Sequence, residues 1–393
     1  MLHLDRSTWR RVRFGDVVRN VNESVKAPEA AGIDRVLGLD NLDGGELEIT
    51  HWGEVADGTT FTRRVRPGQT LFGKRRAYQR KTAYATFDAI CSGDILVFEP
   101  TNQEVLLPEL LPFLAMTDAF YDHAVGTSAG SLSPRTKWAD LAKYEFDLPP
   151  IDQQRRIADL LWALENDRRA RAVLLRRLTL ARSAWVVRRL RDFPASSTHF
   201  GELWVRSPDS GCSAPPKSED TGHRVLSLAS LTDEGFRHGQ VKFVDVSSAM
   251  RAAVLNRGDL LVSRSNTVDA VGRAAIYPDA TDDVSFPDTM MRLHLDRGKV
   301  LPEFAVLVLM SPLGRRHMRR TAAGTSSSML KINRRSLATM SFPSVELEDQ
   351  KVILLRVRDL ERAVGAQRAA LGEQESLTAS MLTVLGGGSN ALQ

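Results

Sequence analysis

Cysteine is nearly absent from this sequence: only Cys91 and Cys212 occur among its 393 residues. Two cysteines so far apart exclude a disulfide scaffold and a cysteine-based zinc site, and they suit a reducing cytoplasm. No apolar run approaches the ~20 residues that a membrane-spanning helix requires. The first residues carry charges without an apolar core segment, so we expect no signal peptide. These absences predict a cytoplasmic protein that does not span a membrane.

Signatures of catalysis are also scarce. The sequence has neither the Gly-x-x-x-x-Gly-Lys-Ser/Thr pattern nor the Gly-x-Gly-x-x-Gly pattern, which argues against the common glycine-rich nucleotide sites. Its eight histidines are dispersed along the chain rather than grouped at the spacing of metal ligands. We therefore expect no catalytic centre, no metal site and no cofactor bound directly by this chain.

The charge is mildly positive, with a net charge of +5 and a pI of about 9.3. This excess favours a polyanionic partner without identifying one. The excess is uneven, because the segment 168–193 is rich in arginine.

The most informative feature is an internal repeat. Five short segments of the first half recur in the same order in the second half, at an offset of roughly 190 residues. The pairs are FGDVV and FGELW, RVLGLDNLDGGEL and RVLSLASLTDEGF, VRPGQTLFGKRR and LNRGDLLVSRSN, LPEL and LPEF, and GTSAGSL and GTSSSML. A proline-containing junction follows in each half, DLPPIDQQRRIADLL and then SFPSVELEDQKVILL. The repeat predicts two halves with one fold, related by a pseudo-twofold axis.

Each junction leads into a long helical pattern. Apolar residues fall at a/d heptad spacing from Ile157 to Trp185 in the first half, and from Ile353 to Leu385 in the second. Polar residues interrupt the pattern at Arg168, Arg171, Arg182, Gln367, Gln374 and Thr378. A helix of this length with one apolar stripe needs a partner of similar length, so we predict that the two helices pack antiparallel. The alternative is that each helix covers only its own domain. The prolines end the preceding strand, and Asp152 or its counterparts Glu346 and Glu348 supply the negative charge that a helix N-terminus favours.

Two kinds of loop repeat a polar, basic composition: the loop GKRRAYQRK with its counterpart SRSNTVDAVGR, and the two GTS loops. Arginine and asparagine make paired contacts with guanine and adenine edges, whereas lysine, serine and threonine suit phosphates. The alternatives are a solvated strand edge for the first kind of loop and a plain flexible loop for the second. The candidate DNA-binding residues are Lys74, Arg75, Arg76, Tyr78, Arg80, Lys81, Ser128, Ser131, Arg135, Lys137, Arg264, Ser265, Asn266, Thr267, Ser326, Ser327, Lys331, Asn333 and Arg334.

With these motifs in place, the sequence resembles the specificity subunits of type I restriction–modification systems over nearly its whole length. The resemblance rests on W..VRFGDVV, VLGLDNL, VRPGQTLFGKRR, the GTS loop and F.LPPIDQQRRIADLL, of which the last is the most specific. The second junction departs from that pattern, because Pro343 is shifted and Val345 stands in place of the second proline.

The resemblance implies a non-catalytic subunit that reads a bipartite sequence in double-stranded DNA. It implies an α+β fold of two α/β target recognition domains separated by two long antiparallel coiled-coil helices, which fix the gap between half-sites. It also implies docking of two methyltransferase subunits, which bind S-adenosylmethionine, and of restriction/translocase subunits. The expected division is residues 1–150 and 194–345 for the recognition domains, 151–193 and 346–386 for the spacer helices, and 387–393 for a flexible tail.

Two other functions remain open on the sequence alone. One is a self-contained restriction or methylation enzyme with its own recognition domains, against which the missing cofactor motifs argue. The other is a coiled-coil assembly scaffold with no role on DNA, which DNA-binding measurements at low and moderate salt would separate from a specificity subunit.

Overall fold

The computed structural model describes residues 5–193, 198–324 and 329–387. The chain forms two compact units: one comprises Met1–Val173 with Arg368–Gln393, and the other comprises Leu174–Gln367. Both units combine helices and sheets, which confirms a mixed α and β fold. The expected domain boundaries stay a prediction, because the two units divide each long helix between them.

The first unit contains two four-stranded sheets and a two-stranded one. The sheet orders are β2-β9-β6-β7, β4-β3-β8-β5 and β1-β10. The strands are β1 (Arg10–Arg13), β2 (Val18–Val21), β3 (Arg35–Leu37), β4 (Gly53–Glu54), β5 (Arg63–Val65), β6 (Thr70–Gly73), β7 (Thr82–Tyr84), β8 (Ala89–Cys91), β9 (Ile95–Pro100) and β10 (Glu145–Leu148). The α-helices are α1 (Phe14–Val17), α2 (Leu111–Met116), α3 (Asp118–Gly126), α4 (Trp138–Leu141) and the start of α5 (Ile151–Arg191).

The second unit repeats this plan. Its strands are β11 (Trp204–Ser210), β12 (Arg224–Leu226), β13 (Leu231–Thr232), β14 (Gly235–Phe236), β15 (Val241–Phe243), β16 (Leu260–Ser263), β17 (Ser265–Asn266), β18 (Ala274–Ile276), β19 (Val284–Ser285), β20 (Met290–Leu295) and β21 (Leu330–Lys331). Its α-helices are α6 (Ser248–Ala252), α7 (Pro302–Met310), α8 (Pro312–Thr321), α9 (Arg334–Ala338) and the start of α10 (Leu347–Leu385). The order β11-β20-β16-β18 matches β2-β9-β6-β7, and the parallel pair β12-β19 matches β3-β8.

Repeated glycines explain part of the repeated sequence. An ideal Cβ on Gly15 would lie 2.8 Å from the Cβ of Ala142, and one on Gly201 would lie 2.8 Å from the Cβ of Ala338. A side chain at either glycine would therefore push the segment before the junction away from the start of its unit. This close approach requires the glycine of each FG pair.

Aromatic side chains fill the cores. Phe14 packs against Phe120 with ring centroids 4.8 Å apart in the first unit, and Phe200 stacks on Phe342 at 5.0 Å in the second. Both long helices contribute to each core. Residues of α5 and α10 in the first core are Ile157, Ala158, Leu161, Met381 and Leu385, and in the second Val186, Leu190, Ile353 and Val357.

The long helices have 41 residues in α5 and 39 in α10. Every a/d heptad position that the sequence predicts is buried or half-buried, including the polar positions Arg168, Arg182 and Gln374. In the second unit Arg182 pairs with Glu361, and Arg189 lies 3.9 Å from Asp349. The later residue of α5 thus pairs with the earlier residue of α10, so these two segments run antiparallel. In the first unit the Gln374 side chain donates a hydrogen bond to the Leu164 carbonyl.

A buried glutamine at each junction explains why the motif recurs. Gln154 is 1% exposed; its amide nitrogen donates to the carbonyls of Val105 and Pro149 at 2.8 and 2.9 Å, and its oxygen accepts from Leu107 N–H at 3.0 Å. These three bonds tie the first turn of α5 to the LPEL segment and to the prolines.

Gln350 repeats the pattern in the second unit. It donates to the carbonyls of Lys299 and Val345 at 2.9 and 2.8 Å, and it accepts from Leu301 N–H at 2.8 Å. The partners of the glutamine are backbone groups, so the second unit keeps all three hydrogen bonds although Val345 replaces a proline. The predicted acidic first turns are also present, with Asp152 in α5, and Glu348 and Asp349 in α10.

Among the residues that the structure describes, no helix is both long enough and apolar enough to cross a bilayer.

Candidate nucleic-acid interface

In the first unit, the two basic loops that the sequence identified separately lie side by side. The chain leaves β6 at Gly73, and Lys74 N–H donates to the Asp94 carbonyl at 2.9 Å. Thr136 N–H then donates to the Lys74 carbonyl at 3.0 Å, and Arg76 N–H donates to the Pro134 carbonyl at 2.7 Å. The loop after β6 and the GTS loop therefore form one surface.

Arg75 and Arg135 share a carboxylate on this surface. Arg135 Nε lies 2.8 Å from one oxygen of Asp94, and Arg75 Nη1 lies 3.2 Å from the other. The hydrogen bond from Arg135 lowers the pKa of Asp94 below its ordinary value, and the charges of Arg135, Arg75 and Lys74 lower it further against the cost of burial. Part of the positive charge is thus neutralised, and both guanidinium groups are held in place.

Arg80 and Lys81 are directed toward the body of the unit. Arg80 donates to the Met116 carbonyl at 3.0 Å, pairs with Asp118 at 2.6 Å and lies over the Tyr121 ring at 4.6 Å. Lys81 Nζ donates to the Leu39 carbonyl at 2.9 Å. Both residues have roles in the fold, and their assignment as DNA contacts remains a prediction.

Backbone conformation shapes the same loop. Arg76 and Arg80 both have φ of 54°, a left-handed conformation that is costly for a residue with a side chain. They flank the short 3₁₀ turn Ala77–Gln79, whose exposed residue Tyr78 is 57% accessible. Both strained residues lie in the loop after β6, and strained backbone of this kind clusters at functional sites.

The remaining candidates of the first unit differ in accessibility. Ser128 is half-buried and donates to the Ala124 carbonyl at 2.8 Å, whereas Ser131 and Lys137 are exposed. Lys74 is half-buried. Neither lysine ammonium lies within ion-pair distance of a carboxylate among the residues that the structure describes. Lys74 and Lys137 therefore remain available to an anionic partner.

The second unit builds its loop pair with the same backbone bonds. Arg264 N–H donates to the Thr289 carbonyl at 2.8 Å, and Ile332 N–H donates to the Arg264 carbonyl at 2.9 Å. Strands β17 and β21 then pair Ser265 with Lys331. Thr289 precedes Met290 in β20 as Asp94 precedes Ile95 in β9, so the carboxylate of the first unit is replaced by a hydroxyl. At this position the second unit therefore has no carboxylate for its arginines to share.

Side-chain positions separate the candidates of the second unit. Ser265 is 4% exposed because it lies in the β17–β21 pair. We expected its side chain on the surface, and it is buried instead. Asn266 donates to Ser263 Oγ at 3.3 Å, and Thr267 is exposed. Asn333 caps α9 by accepting from Ser336 N–H at 2.7 Å.

Of the remaining candidates, Lys331 and Arg334 are exposed, and Arg334 Nη2 donates to Ser210 Oγ at 3.2 Å. Ser326 and Ser327 lie outside the described residues, as does the tail from residue 388 onward.

Two histidines position these loops, although the sequence presented them as scattered. His123 Nε2 lies 2.9 Å from the Asp140 carbonyl, and His317 Nε2 lies 2.7 Å from the Ser336 carbonyl. A carbonyl only accepts, so Nε2 carries the proton in both residues. Each bond joins the helix before a GTS loop to the helix after it. Each histidine lies 16 residues after the first leucine of the repeated LPEL or LPEF segment, and this equal spacing was the signal that could have revealed their role.

The segment Gly126–Gly130 matches the spacing Gly-x-Ser-x-Gly of hydrolase nucleophiles. In hydrolases that serine lies between a strand and a helix, whereas here it follows the C-terminal end of α3. The Ser128 hydroxyl is bonded to the last turn of that helix. The pattern here forms a loop and lacks the strand–turn–helix context of a nucleophile. Within the described part of the chain, no group of three or more His, Cys, Asp or Glu residues is arranged to hold a metal ion.

Comparisons with known proteins agree with this arrangement. Residues 60–171 match the family model described as the type I restriction modification DNA specificity domain. The chain is 26% identical over 313 residues to the type I restriction enzyme StySPI specificity subunit of Salmonella potsdam, and 28% identical over 153 residues to the EcoDI specificity subunit of Escherichia coli. These alignments cover 74% and 38% of this chain, and 65% and 33% of the relatives, so the chain matches less than two thirds of either relative's length.

Solved structures show the same fold. A chain from work on complex assembly and conformational transition of the type I R-M system superposes with a TM-score of 0.62 at 18% identity, over 96% of this chain and 97% of that one. The S subunit of a type I restriction–modification system from M. genitalium gives a TM-score of 0.58 at 12% identity, over 98% of both chains. In sequence the chain is thus similar to type I restriction enzyme specificity subunits, and over residues 60–171 it matches the DNA specificity domain of type I restriction–modification systems.

Proposed function

We propose that this chain is the DNA-recognition subunit of a type I restriction–modification complex, and that each unit reads one half of a bipartite double-stranded target. The observation that carries the proposal is the repeated loop pair. Lys74 and Arg264 occupy equivalent positions, bonded through their backbones to Thr136 and Ile332 of the second loop in each unit. The backbone of the surface is thus constant while its side chains differ.

The difference in side chains suits two different half-sites. The first loop pair presents a run of cations, with Arg75 and Arg135 fixed by Asp94. The second presents Arg264 beside exposed Thr267 and half-buried Asn266. Fixed guanidinium groups favour paired contacts to guanine, and an amide suits adenine. Lysines such as Lys137 bind phosphates, which position the protein without specifying sequence.

The long helices then act as spacers. The heptad stripe is the less exposed face of both, and within each unit segments of α5 and α10 are bonded to each other. Their lengths support the finer arrangement, in which two pseudo-twofold-related recognition domains are separated by an antiparallel coiled coil. In that arrangement the helices set a constant gap between the half-sites.

Catalysis belongs to partner subunits in this proposal. Two methyltransferase subunits would supply S-adenosylmethionine, and restriction/translocase subunits would join through the same assembly in the cytoplasm. Exposed apolar side chains on the long helices support such docking, since solvent-facing leucines and valines favour a protein partner. These residues are Val173, Leu174, Leu180, Val352, Leu355 and Leu377.

Fluorescence anisotropy with a labelled random-sequence duplex tests DNA binding, with methyltransferase partners added in a parallel titration. We expect the affinity to fall steeply as the salt concentration rises. Lysine and arginine side chains that bind phosphates release counterions from the DNA, and added salt opposes this release. Sequencing the duplexes that the chain selects from a random pool then tests the spacer role, since we expect two short motifs at one constant separation. A scaffold would select no motif, and methylation of DNA by the chain alone would indicate a self-contained enzyme.

Arg264→Ala is the residue-level version of this test. If Arg264 reads a base, its loss should weaken binding of the selected duplex by about 1–3 kcal/mol. Arg257→Ala is the matched control, because Arg257 is an exposed arginine before the other end of β16. Equal affinities for the two variants would reject the assignment of Arg264.

A further inference from the structure

The GTS loop of the first unit carries an apolar side chain in an unusual place. Leu132 is 88% exposed, the highest value for a large apolar side chain among the described residues. It stands at the tip of the loop, between Ser131 and Ser133. An isolated exposed leucine is ordinary on a protein surface, but this one lies within the cationic surface assigned to DNA.

The loop is held in a defined shape. Ala129 and Arg135 exchange two backbone hydrogen bonds, both of 3.0 Å, which close a hairpin around residues 130–134. Gly130 has φ of 115°, a conformation that a side chain would strain, and Arg76 N–H fixes the Pro134 carbonyl at 2.7 Å. Leu132 therefore projects from a braced hairpin.

Charge around the tip indicates which partner it meets. Arg76 Nη2 lies 3.5 Å from the Leu132 carbonyl, and Arg135 closes the same hairpin beside Arg75. Apolar contacts between proteins are rarely ringed by this many cations, since interface centres are depleted of charged residues. A duplex offers phosphates for the arginines and, between its base pairs, an apolar space for the leucine.

The second unit offers an independent counterpart. Met329 is 51% exposed and lies two residues before Lys331, which exchanges backbone hydrogen bonds of 2.9 Å with Ala323 in both directions. Leucine and methionine are both among the side chains that proteins insert between base steps, where they partly unstack and bend DNA.

We propose that Leu132 is an intercalating wedge, which enters one base step of the half-site read by the first unit while the surrounding arginines hold the phosphates. The wedge adds a form of recognition that base-edge contacts do not supply. A flexible pyrimidine–purine step opens at a lower energetic cost than a stiff one, so the protein would select sequence at a step that no polar side chain touches. This inference rests on the proposed DNA-binding function.

The test uses the full-length chain and a duplex that it selects from a random pool. The adenine analogue 2-aminopurine, which brightens when it is unstacked, is placed at successive positions across each half-site. We expect one step to brighten on binding. Leu132→Ala should abolish that rise and weaken binding about tenfold, the order expected for losing one buried leucine side chain. Leu132→Met should retain both, because it preserves length and apolar character.

Val205→Ala is the control, since Val205 is 66% exposed on β11 and has no place in the loop pair. If the wild-type chain selects no duplex, with or without methyltransferase partners, the proposed function and the wedge both fail. If it binds a selected duplex but no step brightens, or Leu132→Ala brightens equally, only the wedge is refuted. Loss of methyltransferase capture with unchanged DNA affinity in Leu132→Ala would likewise overturn the wedge and assign Leu132 to a protein contact.

Discussion

Replacing the junction glutamine of the first unit is the sharpest test of how the long helix is attached. Gln154→Leu retains a side chain of similar size but removes one acceptor and two donors. The Leu107 N–H and the carbonyls of Val105 and Pro149 then lose their partners. The side chain is almost fully buried, so water does not replace these bonds without opening the junction.

The expected loss follows from these three groups. A buried polar group left without a partner costs about 1–3 kcal/mol. Relaxation and partial hydration reduce the sum, so we expect Gln154→Leu to lower the free energy of unfolding by about 3–5 kcal/mol. For a unit of this size, that loss corresponds to a fall in melting temperature of roughly 10 °C.

Urea unfolding followed by circular dichroism measures the loss, with Arg155→Ala as the control on the same helical turn. Arg155 is exposed, so its removal should change the free energy of unfolding by less than about 0.5 kcal/mol. Gln350→Leu should destabilise its own unit to a similar degree, because it makes the same three kinds of bond. If Gln154→Leu is as stable as Arg155→Ala, the three hydrogen bonds of Gln154 do not stabilise the junction.

Three further predictions concern two charged groups of the first unit. Asp94→Asn removes the carboxylate shared by Arg75 and Arg135, so DNA binding should tighten and its dependence on salt should steepen by about one phosphate contact. The pKa of Asp94 is lowered by folding, so its stabilising effect is present above the ordinary carboxyl pKa and is lost as pH falls through the folded value. Wild type and Asp94→Asn should therefore converge in stability only below about pH 4. Arg168→Met removes the mostly buried guanidinium that binds Glu165 at 2.9 Å and Glu46 at 3.0 Å, and should lower the free energy of unfolding by about 1–3 kcal/mol, as measured by urea titration.

The controls for these two variants make the same kind of charge change at other positions of the first unit. Asp140→Asn changes a carboxylate that pairs with Lys143 away from the loop pair, and it should leave the salt dependence unaltered. Arg171→Met removes an i,i+4 pair with Asp167 on the same helix and should cost less than 1 kcal/mol. An Asp94→Asn variant that binds DNA no more tightly than wild type would show that Arg75 and Arg135 are not phosphate or base contacts.

Much of the fold could be predicted from the sequence because the sequence contains an internal repeat. Matching segments at a near-constant offset identified two units, and the heptad spacing identified the buried face of both long helices, down to the polar positions Arg168 and Gln374. Helix starts were also predictable, since proline followed by an acidic residue marks a boundary by local chemistry alone.

The details of the candidate interface were less accessible because they depend on distant partners. Nothing near Ser265 in the sequence shows that it pairs with Lys331, and that pairing is what buries it. The pairing of Arg75 and Arg135 with Asp94 joins three separate segments. Gln154 was part of the quoted motif, but its three partners lie in the preceding prolines and 47–49 residues away, so its purpose became evident only in the fold.

The assignment of chain segments to the two units has a consequence for biosynthesis. The second unit is continuous in sequence, whereas the first combines Met1–Val173 with Arg368–Gln393. Met381 and Leu385 pack in the same core as Phe14 and Phe120, and an added Cβ at Gly386 would lie 3.1 Å from Thr117. During translation, all of the second unit is therefore synthesised before the first unit has its complete set of core residues. Part of the core of the first unit therefore stays uncovered until Arg368–Gln393 has been synthesised.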